Sequence, residues 1–393
     1  MRLLARSPWW LAPLAIFVAT RLVDALVIAH AAHAQVAIDG SLGIHAEELK
    51  PAHPGYWAAL SNWDGQWYET IARHGYPRSL PASGPVPQTA WAFYPLYPAL
   101  VRLVMIVTPL GFASAASLVS MTFAALAMVL IFRLVLVRGG RFAAAMTVLA
   151  LCVFPSAPIL QAAYTEGLAL FGIALLVRSL TRREYAGAWV ALLLLALTRP
   201  IVAAAAPVIV LHGLVHWRRS SRRQRWTIGC LAVAAAALVL LWPVVAAIVT
   251  GRRDAYFATQ RAWNNELSLQ RSYLGWLFGG ADQHTTITAA LVLLVLLVAL
   301  VVPAGRAWPL ELRLWAGIYA LYLALTLRPT SSIERYMLLA GVPWLPVTAL
   351  APAGTSRWVR VLAFVTVALV GIRLQVGWVE HYLIPSTGSL LPP

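Results

Sequence analysis

"FYPLYPALVRLVMIVTPLG", Phe93 to Gly111, is the stretch on which the topology of this chain turns. If it crosses a membrane, every later apolar segment changes sides. Pro95, Pro98 and Pro109 interrupt it, and Arg102 stands near its centre. Proline breaks a helix interior, and a charge at mid-span is costly. The stretch is therefore expected to lie in, or dip into, a membrane interface without crossing.

Composition says that there is a membrane to lie in. The chain of 393 residues is 61% hydrophobic and 11% charged, against about 25% charged in a soluble domain. Apolar runs long enough to span, about 18 residues or more, recur along it. The spans expected are 9–32, 112–138, 141–160, 164–181, 185–198, 200–217, 226–250, 285–305, 308–328, 335–351 and 357–379. The expected fold is thus an all-α polytopic membrane protein with about eleven transmembrane helices, forming one unit over residues 1–393.

Starting with the N-terminus inside, the inner loops hold Arg138 and Arg141; Arg178, Arg182 and Arg183; Arg218, Arg219, Arg222, Arg223 and Arg225; Arg306; and Arg357 and Arg360. That is the positive-inside pattern. It holds only if 93–111 does not cross. The outer side then receives a large first loop, 33–111, with interfacial helices, a second loop, 251–284, and the C-terminus. Loops that long in a compact membrane protein are usually functional.

The net charge of +16 does not point to nucleic acid, because the arginines sit in short clusters between apolar runs. Cys152 and Cys230 both fall inside such runs, so neither a disulfide nor a metal site is expected from them. Arg2 and Arg6 precede the first run and Ala32-His33-Ala34 resembles a signal-peptidase site. The run is long for a signal peptide, however. Arg21 and Asp24 interrupt it at i, i+3 on one helix face, which favours a retained helix.

Within the first outer loop, "SNWDGQWYETIARHGYP", Ser61 to Pro77, holds a carboxylate among aromatics. On a helix over 63–76, Trp63, Trp67, Tyr68, Ile71, Ala72 and Gly75 fall on one half of the wheel. Gln66, Glu69 and Arg73 fall on the other, with Glu69 and Arg73 spaced to pair. Gly75 and Pro77 end the helix. Asp64 falls within the apolar half, where desolvation strengthens a carboxylate as a proton acceptor. A second reading is that Ser61-Asn62-Trp63-Asp64 is a capping box with Asp64 at N3. Helix geometry leaves both readings open.

"WDGQWY" with "IARHGY", then "FYPLYPALVRL", "YTEGLALF", "LTRP" and "ERY", in that order, resemble the PIG-V-like mannosyltransferases. These are integral-membrane glycosyltransferases of the GT-C type, with bacterial members related to the second mannosyltransferase of glycosylphosphatidylinositol assembly. The resemblance implies a GT-C-type fold and a polyprenyl-phosphate-linked donor, usually of mannose. It also implies an acidic residue of the first loop at the reaction centre, here Asp64. The D-x-D or E-x-D pair of many GT-C enzymes is absent from this loop, which weakens the case for a metal bound there. No cofactor is expected, with a divalent metal left open.

Such chemistry needs a base for the acceptor hydroxyl and cations for the departing phosphate, for which arginine is suited. Glu166, in "QAAYTEGLAL", is the candidate second acid; alternatively it favours the positive end of a helix that Thr165 caps. Arg199 and Arg335 stand at outer ends of spans and are candidates for the donor phosphate; Arg199 alternatively snorkels to headgroups. Arg261, in the second outer loop, is a third candidate. Trp63, Trp67, Tyr68 and His74 are candidates for sugar or acceptor binding, although Trp and Tyr also collect at interfaces without a ligand.

The function expected is transfer of a mannosyl residue to an extracytoplasmic acceptor hydroxyl on a glycolipid, lipoglycan or protein. The expected location is a bacterial cytoplasmic membrane, with the site on its outer face. The alternatives are a transporter or flippase of a lipid-linked sugar, and a non-catalytic scaffold for envelope assembly. Transporters place polar sites near mid-membrane, often in internal repeats. The acids and arginines here sit at outer ends.

Overall fold

The computed structural model describes residues 8–39, 49–263, 268–278, 308–328, 330–341 and 355–393. The expected span at 285–305 and most of that at 335–351 lie outside the described residues. Among the described residues the chain is helical, with no strand and two isolated bridges, Ile38 with Lys50 and Ser386 with Ser389.

The helices are α1 Leu11–Ala31, α2 Gly55–Ala59, α3 Asp64–His74, α4 Leu96–Val107, α5 Phe112–Cys152, α6 Glu166–Arg182, α7 Tyr185–Ala196, α8 Val202–His216, α9 Arg222–Ala237, α10 Leu241–Thr250, α11 Ala255–Ala262, α12 Tyr273–Phe278, α13 Leu310–Thr326, α14 Ile333–Ala340 and α15 Arg357–Trp378. Among the described residues, four stretches are long and apolar enough to cross a membrane: Leu11–Ala34, Phe112–Cys152, Arg222–Thr250 and Arg357–Leu383. Leu26, Ile248 and Leu362 on three of them are exposed. Apolar surface of that extent marks contact with lipid in a multi-pass membrane protein.

Within 93–111 the helix is α4. At 12 residues it is about 18 Å long, too short for a hydrocarbon core of about 30 Å. Tyr97, Pro98 and Val101 are buried on one face, while Leu103, Ile106 and Val107 are exposed. One face of α4 is thus covered by protein and the other is open.

The helix α5 is two helices meeting at Gly140, whose φ of 76° and ψ of 178° break the backbone ladder. The break falls between the expected spans 112–138 and 141–160. The second of these ends early, at Cys152 rather than near residue 160. The reason is long-range. Arg21 Nη2 and Gln375 Nε2 donate to the Cys152 carbonyl at 2.6 and 2.9 Å, and Arg21 Nη1 donates to that of Ala157 at 2.5 Å. Side chains thus satisfy carbonyls that a continuing helix would have used. Arg21 is held in turn by Asp24 at 2.7 Å, both buried. Irregular backbone inside a membrane protein is tolerated where protein covers it, and most of 153–165 is buried.

Residues of the two expected outer loops pack on each other. The expected span before the second loop also joins them: Trp242 Nε1, at the start of α10, donates to the Trp91 carbonyl at 3.1 Å. Thr89 meets Thr259 at 3.2 Å, and Trp67 meets Trp263 edge to face at 5.3 Å.

Candidate active site

The segment Ser61–Pro77 forms α3 much as the wheel required, with two differences. Trp67, Tyr68, Ile71 and Ala72 are buried, Arg73 and Glu69 pair at 2.7 Å, and Gly75 ends the helix at φ 79°. Gln66, expected on the wet half, is buried, because its side of the first turn is covered by protein. The capping box does not form. The helix starts at Asp64 itself, its N-cap is Trp63, and no side chain caps it. Trp63 has φ 55° and ψ −117°, a conformation that costs a side-chain-bearing residue about 1–3 kcal/mol and persists only where its surroundings impose it.

Those surroundings are visible. Ala163 N donates to the Leu60 carbonyl at 2.8 Å, and Tyr164 Oη to that of Asn62 at 3.2 Å. A Cβ on Gly65 would stand 3.3 Å from Ala163 Cβ, so glycine lets the first turn of α3 lie against 162–164. Trp63 Nε1 donates to the Leu383 carbonyl at 3.1 Å. On the other side of this segment, Ser120 Oγ donates to the Ala162 and Tyr164 carbonyls at 2.7 and 3.1 Å. Gly167 lies so close to α5 that a Cβ would meet the Ser120 carbonyl oxygen at 2.4 Å. The glycines of "WDG" and "TEG" thus set the positions of Asp64 and Glu166.

Asp64 is not capping a helix; it meets an arginine. Arg335 Nη1 donates to Asp64 Oδ2 at 2.6 Å, and Arg335 Nε lies 3.3 Å from Glu166 Oε1. The same Glu166 oxygen accepts from Arg199 Nη1. Four residues, from the starts of α3 and α6, the turn after α7 and the start of α14, form one chain of alternating charge: Asp64, Arg335, Glu166, Arg199. Tyrosine rings complete it. The Arg335 guanidinium lies 5.1 Å from the ring centres of Tyr164 and Tyr336, and that of Arg199 lies 5.0 Å from Tyr336, within cation–π range.

Exposure distinguishes the members. The side chains of Glu166 and Arg335 are 0% and 4% exposed and that of Arg199 13%, whereas that of Asp64 is 27%. Asp64 is the most exposed of the four. Glu166 Oε2 is buried with no hydrogen-bond partner. Thr165 occupies the N-cap of α6 but its side chain makes no capping bond.

The remaining candidates stand elsewhere. Arg261 donates to Asp254 Oδ2 at 2.7 Å, in a loop where Arg252 also holds Asp254 and the carbonyls of Pro81 and Gly84. His74 is exposed at the far end of α3 from Asp64. Trp67 stacks on Phe93 at 5.7 Å, and Tyr68 meets Phe93 and Tyr97 edge to face; both are 5% exposed and act as wall material for the site. Burial pushes the Tyr68 hydroxyl well above its ordinary range. Trp63 is half-buried.

No protein-family model matches the chain, and no curated protein matches it. Solved structures do. One is ArnT from Cupriavidus metallidurans bound to undecaprenyl phosphate, at a TM-score of 0.52 and 14% identity over 93% of this chain and 77% of that one. Another is the Archaeoglobus fulgidus oligosaccharyltransferase in its apo form, at a TM-score of 0.51 and 12% identity over 95% of this chain and 57% of that one. The chain spans little more than half of the oligosaccharyltransferase. The fold is similar to those of these two proteins. At these identities the likeness is one of fold, and the chemistry must be argued from the cluster itself.

Proposed function

We propose that the protein is a polyprenyl-phosphate-sugar-dependent glycosyltransferase, moving a mannosyl residue to an acceptor hydroxyl. The observation that carries this reading is the bridge from Asp64 through Arg335 to Glu166 and Arg199. It puts a reachable carboxylate beside two guanidiniums, which is what transfer from a lipid phosphate requires. The acceptor oxygen attacks the anomeric carbon as its proton passes to Asp64. The bond from that carbon to the phosphate oxygen breaks, and its electron pair stays on the phosphate. Arg335 and Arg199 take up the charge through the directed donors of a planar guanidinium. Single displacement inverts the anomeric centre. Glu166 orients both arginines, and its open oxygen can accept from a sugar hydroxyl.

The solved relatives contribute context. One holds undecaprenyl phosphate, a ligand of the class proposed for this chain. The resemblance of "WDGQWY" and its companion motifs to PIG-V-like enzymes supports mannose as the sugar. The proposed setting is a bacterial cytoplasmic membrane, with about eleven spans, the N-terminus inside and the cluster on the outer face. Arg261 is a weaker phosphate ligand than Arg199 or Arg335 in this reading, because Asp254 holds it. His74 is a weaker sugar contact, because it lies a helix length from Asp64. No metal-dependent step is invoked.

A transporter needs polar groups at mid-depth. The buried mid-helix pair Arg21 and Asp24 is engaged in closing the end of α5, which leaves it little to offer cargo. The test is transfer of radiolabelled mannose from polyprenyl-phosphate mannose to membrane lipids or protein by the purified chain. Labelled product that requires the protein is expected; translocation of the intact donor without transfer would overturn the proposal.

A further inference from the structure

A second polar cluster lies at the other end of α6. Glu166 opens this helix and Thr181 nearly closes it, about 22 Å apart at 1.5 Å per residue. Around Thr181, His212 and His216 stand one turn apart on α8, and Glu311 is in the first turn of α13. One donor atom from each of the three lies within 4.8 Å of the others. His212 Nδ1 is 3.0 Å from Glu311 Oε1, and Thr181 Oγ1 donates to Glu311 Oε2 at 3.0 Å.

A buried histidine beside a glutamate is most often a plain ion pair or hydrogen bond. Two observations exceed that. First, His212 is fully buried and its Nε2 has no hydrogen-bond partner, although buried polar atoms are nearly always satisfied. Second, His216 Nδ1 is paired at 3.0 Å with the His212 carbonyl. A carbonyl only accepts, so the His216 proton sits on Nδ1 and the lone pair on Nε2. That backbone bond is the usual device for orienting a metal-bound imidazole. The Thr181 bond orients Glu311 in the same way. The two imidazole rings lie 4.6 Å apart, a spacing that suits shared ligation of one cation.

We infer that His212, His216 and Glu311 bind one divalent d-block cation, with zinc the best match to two imidazoles and a carboxylate. The ion ties α8 to α13 and, through Thr181, to α6, at the end of the bundle remote from Asp64. His216 is half-buried and lines a depression of about 690 Å³ together with Trp217, Arg218 and Arg219. The ion enters there. The fourth position falls to water or an anion, which the two arginines on the rim favour. This site is independent of the proposed transfer reaction.

The experiment uses the full chain purified in detergent, stripped with chelator and then titrated with zinc or cobalt chloride. The expected result is one zinc per chain after gel filtration and a rise in Tm that chelator reverses. Cobalt should give the intense visible absorption of a four-coordinate ion with nitrogen and oxygen ligands. His216→Ala, at the rim, and the isosteric Glu311→Gln should lower the zinc content from one per chain to near none. His30→Ala, on the exposed side of α1, should leave it at one. Zinc retained equally by His216→Ala, or a cobalt spectrum of the weak six-coordinate kind in the parent chain, would overturn the site. The cobalt spectrum decides even if a variant fails to fold.

Discussion

Arg335 Nη1 lies 2.6 Å from Asp64 Oδ2 across 271 positions of sequence. This one contact joins the first turn of α14 to the first turn of α3 and gives the reachable carboxylate of the site a fixed cationic partner. Removing one member of a buried pair costs about 3–5 kcal/mol through the charge left behind. The informative substitution therefore keeps the charge.

Arg335→Lys retains a cation but replaces the two directed donors, Nη1 toward Asp64 and Nε toward Glu166, by one compact ammonium. The loss of one charge-assisted hydrogen bond, about 1.5–3 kcal/mol, should raise the donor KM or lower kcat by about 10- to 100-fold. Arg199→Gln should act in the same direction. Steady-state transfer with varied donor, alongside a thermal melt, separates binding from folding. Wild-type kinetics in both variants would remove the arginines from the phosphate site.

The glycine contacts make a graded prediction. Gly167→Ala drives a methyl group to 2.4 Å from a backbone oxygen that Ser120 cannot move cheaply, whereas Gly65→Ala meets only a methyl at 3.3 Å. Overpacking of the first kind costs about 1–3 kcal/mol. Gly167→Ala should therefore lower Tm clearly and Gly65→Ala only slightly. Equal melting points for the two would contradict the packing described for Glu166.

The Arg252–Asp254–Arg261 anchor makes a prediction in pH. Hydrogen bonding from Arg252, aided by Arg261, holds the Asp254 carboxyl down to about 2 from its ordinary 3.8. A depressed folded value adds stability above the unfolded pKa and loses it as pH falls through the folded one. Hydrogen-exchange protection of 251–263 should thus be constant from neutral pH down to about 4 and fall between about 4 and 2. Asp254→Asn should lower protection throughout and abolish that acid step. A step well above pH 4 in the parent chain would contradict the anchor.

Much of the fold was legible because a membrane span is a local property: twenty apolar residues announce themselves, and the helices fall where the apolar runs did. Four of the site candidates were legible for a related reason. Glu166, Arg199 and Arg335 are charges at the ends of expected spans, and Asp64 falls on the apolar half of a helix wheel in the first outer loop; such charges need a partner. Which partner was not legible, since Arg335 and Asp64 are joined only by the tertiary fold. The capping box failed on the same ground. Ser61 to Asp64 satisfies a local pattern, but the packing of Gly65 on Ala163 forces Trp63 to φ 55° and starts the helix at Asp64. Gln66 was misplaced because a wheel puts the wet side opposite the apolar residues, and in the first turn of α3 the open side is that of Asp64 while that of Gln66 is covered. The early end of α5 depends on Arg21 and Gln375, residues far from Cys152 in sequence. His212 and His216 carry the i, i+4 spacing of metal ligands in plain view, yet Glu311 comes from a different helix, and without it the pair means little.

The central claim is that Asp64 takes the proton of the acceptor. Asp64→Asn keeps the size of the side chain and an oxygen for Arg335, and no capping bond is lost because none exists. General-base catalysis contributes about 10²- to 10⁴-fold. The measurement is single-turnover transfer of labelled mannose by purified Asp64→Asn, with Tm and donor binding recorded on the same sample. The account predicts a folded protein that still binds donor and whose turnover falls by about 10²-fold or more. A folded Asp64→Asn protein with near-normal turnover would contradict it.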